Sequence, residues 1–276
     1  CRRLRRAARP GERGLGVDAD GLAVLADGVV LGGQLSAASD KTALTWVNGW
    51  ISEVKADATK LEENVYTTDS PALLRVVGTQ KAKNRSVCGT LVTQLFQQSL
   101  GFTESNFFNS FNKAMDSCTY GKVSGVNKGT NSPNAAQYRY KIENCAGTGV
   151  IQFTKRTTIG AIEAGDVLAV TYPESTTNSG HVMIVRSVPV VDSGLPAGPS
   201  GSTAYAVEVV DSTETPHGTS TTYADWRGGD TGEGLGHGTF VLYANSSGTI
   251  VASRWSPTDP TLFDTTDHPL AVSGLN

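Results

Sequence analysis

Residues 162–185 read IEAGDVLAVTYPESTTNSGHVMIV. Two short apolar runs, 167–170 and 182–185, are bounded by Gly and Pro and separated by a polar, turn-forming stretch. Each is too short for a helix, and together they read as strands of a sheet. Downstream, TAYAVEVVDST (203–213) is a third such run, and GTFVLYANSSGTIVASRWS (238–256) is a hairpin that turns at NSSG. Upstream, AQYRYKIEN (136–144) and GVIQFTKR (149–156) also alternate like strands. PHGTSTTYADWRGGDTGEGLGHG (216–238) reads as a long polar, Gly-rich loop.

The texture differs before residue 116. DKTALTWVNGWISEVKADATKLEEN (40–64) places Leu44, Val47, Ile51, Val54, Ala58 and Leu61 at steps of three and four. That pattern predicts an amphipathic helix over roughly 41–63, capped by Asp40. NRSVCGTLVTQLFQQ (84–98) predicts a second helix, with Ser86 as N-cap, Leu91, Val92, Leu95 and Phe96 buried, and Gly101 as terminator. ESNFFNSFNKAM (104–115) predicts a third, shorter one. Helices come first and antiparallel strands follow, which is the order of an α+β domain.

Composition narrows the function classes. The formal net charge is −3, so no global basic field draws in nucleic acid. No apolar run approaches the length of a transmembrane helix. Residues 1–38 read as a tail: a basic start, CRRLRRAARPGERG, then GLAVLADGVVLGGQLSAAS, a degraded signal-like run broken by Asp27. Residues 39–276 read as one domain, with its N-terminal helix within 39–66. The four cysteines, Cys1, Cys88, Cys118 and Cys145, form no CxxC pair and no zinc-finger spacing, so no metal site and no cofactor are expected. Cys118 and Cys145 bracket a Gly/Asn/Ser-rich stretch and are the natural pair for a disulfide in an exported protein.

Cys88 is the residue with chemistry. In the first turn of a helix, unpaired N–H groups and the positive dipole end favour thiolate over thiol. The alternative is a small buried hydrophobe. A nucleophilic Cys needs a base, and His181 opens the strand at 182–185. The base needs an orienter, and Asp211 ends the strand 203–213. Each also has a structural reading, a hydrogen-bonded strand-start His and a strand-end Asx turn. His217, His237 and His268 lie in Gly- or Pro-rich segments and read as exposed loop residues. Asp166 reads as a turn former. Trp226, Trp255 and Tyr223 read as core, or as cleft lining.

Taken together, SVCGTLVTQLF (86–96), the GD at 165–166, the HV at 181–182 and VEVVDST (207–213) resemble, in that order, the NlpC-like and CHAP-like branch of the papain-fold cysteine hydrolases. The resemblance implies a papain-like fold with Cys88 as nucleophile, His181 as base and Asp211 as orienter. It implies an amide-cleaving enzyme of the secreted or cell-envelope kind, acting on bacterial peptidoglycan peptides or another amide. An acyltransferase or deamidase on the same site, or a non-catalytic wall-binding module, are the alternatives. The family's oxyanion helper points to Gln80 or Asn84, and Gly89 would leave room for the substrate carbonyl. The long Cys88–His181 interval suggests an insertion near 112–150.

Overall fold

The structure is a computed structural model and describes residues 16–17, 23–24, 36–111, 132–173, 175, 178–218, 220–229 and 232–276. The chain divides between Leu35 and Ser36 into two units. In the first, β1 (Gly16–Val17) pairs antiparallel with β2 (Ala23–Val24). The remainder of that unit, including Cys1, lies outside the described residues.

The second unit opens with α1 (Ser36–Ala56). The helix starts earlier than the periodicity predicted, because Ala37 and Ala38 carry good helix propensity, and Asp40 lies inside it rather than capping it. It also stops earlier. The Asp57 carboxylate accepts from Thr59 N (3.0 Å) and turns the chain into a 3₁₀ turn at Ala58–Lys60. Ala58 and Leu61, predicted as helix, therefore belong to that turn and to β3 (Leu61–Val65). β4 (Ala72–Leu74) and β5 (Ala82–Arg85) join β3 in a small sheet of order β3-β5-β4.

α2 (Cys88–Leu100) forms where its pattern places it, with Gly101 (φ 71°) closing it, and α3 (Glu104–Ser110) starts where expected but ends before 115, with Phe111 as its C-cap. The strand reading of 136–144 is overturned: these residues form α4 (Ala135–Asn144). Asn134 and Gln137 make a reciprocal capping box there. Ala135, Tyr138 and Ile142 then bury one helical face; the alternating tyrosines had suggested period two, but Tyr138 alone of the two is buried. α4 packs on the main sheet, so this part of the expected insertion is core. Residues 112–131 lie outside the described residues.

The main sheet is antiparallel. It comprises β6 (Phe153–Arg156), β7 (Val167–Thr171), β8 (Gly180–Val185), β9 (Val190–Val191), β10 (Thr203–Thr213), β11 (Trp226–Arg227), β12 (Gly234–Ala244), β13 (Ile250–Arg254), β14 (Phe263–Asp264) and β15 (Leu270–Leu275). Its order is β14-β13-β12-β10-β8-β7-β15-β6, with β9 on β10 and β11 on β12. The hairpin at NSSG joins β12 to β13 as expected. Both faces are buried. Val167, Ala169, Val182, Ile184 and Val210 pack with α1, α2 and α4, while Leu168, Val170, Met183, Val185 and Val209 pack on the other side. Period-two alternation sorts the residues between two apolar layers, which is why these strands read as continuous apolar runs. The described residues thus form an α+β fold of four helices and a large antiparallel sheet, and none of their helices is long and apolar enough to cross a membrane.

A chain of buried side chains ties the head of α2 to this sheet. Ser212 Oγ on β10 donates to Ser86 O (2.7 Å), and Ser86 Oγ donates to Asn84 Oδ1 (2.5 Å). Asn84 Nδ2 donates to Asn64 Oδ1 (2.9 Å). Asn64 in turn exchanges bonds with the backbone of Leu235 on β12, at 2.7 and 2.9 Å. Removing Asn64 would orphan several buried groups at once. Asn64→Ala is expected to lose about 3 kcal/mol in urea unfolding, and a loss under 1 kcal/mol would contradict this role.

Candidate active site

Cys88 is the first residue of α2 and is 7% exposed. Val87, not Ser86, occupies the N-cap and offers no side-chain bond to the helix. Ser86 is buried and spent on the clamp to Asn84. The anticipated cap is therefore absent, which leaves the first-turn N–H groups of α2 without a side-chain acceptor at the N-cap.

β8 brings His181 to this thiol. Gly180 just before it takes φ 126°, and a Cβ there would stand 1.9 Å from Val170 O, so the position excludes any side chain. The His181 ring and the Val182 N–H act on the Cys88 sulfur and favour its charged form. His181 Nε2 lies 2.6 Å from Asp211 Oδ2, which leaves Nδ1 for the sulfur. Asp211 sits near the end of β10, fully buried. The three residues singled out from the sequence thus come together as thiol, imidazole and carboxylate.

Asp211 has further partners that sequence reasoning missed. His217 Nε2 lies 2.8 Å from the same Oδ2, and its Nδ1 donates to Trp255 O (2.7 Å). Arg227 Nη1 stands 2.9 Å from Oδ1 as a charge contact. Its N–H groups aim elsewhere, at Gly234 O (2.8 Å) and Asp211 O (3.4 Å), so Oδ1 has a cation beside it but no aligned hydrogen bond among the described residues. Arg227 Nη2 and the His217 N–H share Asp225 Oδ2, each at 2.8 Å. The Trp255 ring stacks on His217 at 4.0 Å and meets the His181 ring edge-on at 4.8 Å.

Electrostatics follow from this packing. Burial pushes the Cys88 thiol up, but the His181 charge, its hydrogen bond and the Val182 N–H outweigh it, so the thiol is lowered overall. Burial works against the His181 imidazolium too, yet the Cys88 charge and the Asp211 bond raise it to about 10. Burial also disfavours the Asp211 carboxylate, and the Arg227 and His217 charges together with the imidazole bonds hold it well below its ordinary range. These shifts all run toward a thiolate–imidazolium pair beside a carboxylate.

Other expectations are corrected. His217 is fully buried rather than an exposed loop residue. His237 lies in β12, 8% exposed, with Nδ1 2.8 Å from Glu208 Oε1 and Nε2 2.6 Å from Lys55 Nζ. His268 is half-buried against Phe263, ring centroids 4.6 Å apart. A signal existed: Gly234, Gly236 and Gly238 alternate along β12, and side chains at 236 and 238 would collide with Trp226 O, Asp225 and His217. Alternating glycines in a strand mark close approach of another segment, here the one that carries His217 and Arg227.

Neither oxyanion candidate holds. Gln80 is exposed in the turn where it pairs with Val77 and is not among the residues lining the cleft, and Asn84 is consumed by the clamp. Gly89 lines the cleft, but the space its missing Cβ leaves is taken by Pro133 O, 2.5 Å from that position. Tyr66, directly after β3, reaches the cleft on both sides of the thiol–imidazole pair, as does Asn178. Burial and the charges of Cys88, Glu214 and Asp211 raise its phenol, so it stays a donor. Asp166 shapes its turn as expected, bonding Arg156 and Glu163 N (2.8 Å). Trp226 packs beside the core and stacks on His237, and the Tyr223 hydroxyl donates to Asp192. Cys145 is disulfide-bonded; Cys118, its expected partner, lies outside the described residues.

His181, Asp211 and His217 are also the grouping with metal-ligand chemistry among the described residues. Both Nε2 atoms converge on one carboxylate oxygen at 2.6 and 2.8 Å, and an ion with bonds of about 2 Å has no gap to enter.

No family model matches the chain, and no solved structure matches it. An uncharacterized protein of Acanthamoeba polyphaga mimivirus is 34% identical over 134 residues, 45% of this chain and 58% of that protein. The chain thus spans less than two thirds of that relative's length.

A depressed carboxyl adds stability above its unfolded pKa and loses it as pH falls toward the folded one. Asp211→Asn should therefore be less stable than wild type by about 3 kcal/mol at pH 7, with the gap narrowing below about pH 4. A gap unchanged from pH 7 to 3 would contradict the buried carboxylate.

Proposed function

We propose that the protein is a papain-like cysteine hydrolase that cleaves an amide bond through a Cys88 thioester. The observation that carries this reading is Cys88 at the head of a helix lining an open cleft, its thiol lowered by His181, whose Nε2 lies 2.6 Å from Asp211 Oδ2. The thiolate forms a bond to the substrate carbonyl carbon and pushes the π pair onto oxygen. We assign the Cys88 N–H, at the uncapped helix head, and the hydroxyl of the cleft-lining Tyr66 as donors to that oxyanion. His181 then gives its proton to the leaving nitrogen as the C–N bond breaks. Water, deprotonated by His181, cleaves the thioester and restores the thiolate.

The cleft supports a substrate class. On the Cys88 side it is lined by neutral polar groups, among them Thr68, Thr90, Ser132, Asn134 and Ser179. On the His181 side it carries Tyr172, Trp255 and Phe263 together with the carboxylates of Glu214 and Asp259. The leaving amine is on the His181 side, since His181 protonates it, and that lining suits an amine component bearing positive charge. A peptidoglycan stem peptide, with a diamino acid next to the cleaved bond, has that chemistry. The disulfide at Cys145 suits an oxidising, exported setting.

Purified protein should release new amino and carboxyl termini from such peptides, with or without a chelator, and Cys88→Ala should release none. Equal release by both proteins would overturn the reading, and products that capture an added amine in place of water would make the enzyme an acyltransferase. Tyr66→Phe should lower kcat about a hundredfold with KM little changed; an unchanged kcat would remove Tyr66 from the oxyanion site.

A further inference from the structure

His217 is not needed to complete a Cys–His–Asp set, yet the fold buries it fully against Asp211. Its Nδ1 faces the Trp255 carbonyl at 2.7 Å and its Nε2 faces Asp211 Oδ2 at 2.8 Å. A carbonyl oxygen only accepts, and so does a carboxylate. A neutral imidazole has one N–H and could satisfy one of the two; the other contact would set a lone pair against an oxygen. The Asp211 carboxyl is held well below its ordinary range, so it does not supply the missing proton. Both ring nitrogens of His217 therefore donate. The Trp255 ring, stacked at 4.0 Å and 25°, presents its π face to that cation.

We propose that His217 is a positioning residue, held doubly protonated between Asp211 and the Trp255 carbonyl, whose charge sets the pH at which Cys88 becomes a thiolate. This inference rests on the reading of Cys88, His181 and Asp211 as the reacting set. Around His217 stand Asp211 from β10, Asp225 and Arg227 from the segment carrying β11, and His181 from β8 at 6.3 Å between centroids. Phe240 from β12, at 6.2 Å, adds no charge. With the thiolate formed, Cys88, Asp211 and Asp225 are negative, and His181, His217 and Arg227 are positive. The buried cluster is then neutral. Without the His217 charge it carries an excess negative charge, which opposes the thiolate and strengthens the hold of His181 on its proton. Sequence proximity hid this role: His217 follows Asp211 by six residues, across a turn that looks like surface.

The test needs no substrate. Iodoacetamide alkylation is followed on the Cys88 peptide by mass spectrometry from pH 3 to 9, for wild type and for His217→Gln. Glutamine keeps a donor for Asp211 and removes the charge. The alkylation midpoint should rise by about one pH unit in the variant, a tenfold slower reaction on the acidic limb. A merely structural role would lower stability without moving the midpoint. A depressed wild-type midpoint that His217→Gln leaves in place would overturn this inference alone; an ordinary thiol midpoint in wild type would overturn the reading of Cys88 and this inference with it. If the variant fails to fold, nitrogen-15 NMR of the wild-type histidine rings decides. Two protonated nitrogens on His217 at pH 7 support the proposal, and a neutral tautomer overturns it.

Discussion

A buried carboxylate is the constraint around which the molecule is built. Asp211 has no exposed surface, and an isolated charge in that position would cost far more than any single packing contact returns. It survives because β8, β11 and the turn after β10 each deliver a cationic or hydrogen-bonding group to it: His181, Arg227 and His217. Those three elements must be in register for the charge to be tolerated. The carboxylate that orients the imidazole therefore also dictates how the centre of the main sheet closes.

The clamp from Asn64 through Asn84 and Ser86 to Ser212 solves a second problem. A nucleophile at a helix head is useful only if the head keeps its distance from the base, and the first turn of a helix is where fraying begins. Neutral side chains do the holding here, at Ser86 two residues before Cys88 and at Ser212 immediately after Asp211. Charge is kept for Asp211 and the groups around it, and position is fixed by amides and hydroxyls. The first-turn N–H groups stay unoccupied by a side-chain cap, which suits an oxyanion and costs the helix some stability.

Much of the site was legible because its pieces are local. Cys88 stands at an apolar-periodic helix head, His181 follows a Gly-containing turn into an apolar strand, and Asp211 ends another. What escaped was set by long-range packing. Tyr66 is unmarked in the sequence and enters the cleft because β3 runs parallel to β5. His217 and Arg227 sit in a segment whose polarity and glycines imitate an exposed loop; only the alternation of Gly234, Gly236 and Gly238 hints that another backbone lies against β12. The strand reading of 136–144 failed for a simpler reason: two tyrosines two apart mimic a pleat, and the Asn134–Gln137 capping box outweighs them. Gly89 was rightly noticed as a residue that leaves room, but the occupant is Pro133.

The central claim is that Cys88 exists as a thiolate paired with a protonated His181. Thiolate absorbance near 240 nm, taken as the difference between wild type and Cys88→Ser across pH 3 to 11, measures this directly. The account predicts a thiolate signal already complete at neutral pH, with its rise well on the acid side of an ordinary thiol. A signal that rises only near pH 8.5, as for an unperturbed cysteine, would contradict it.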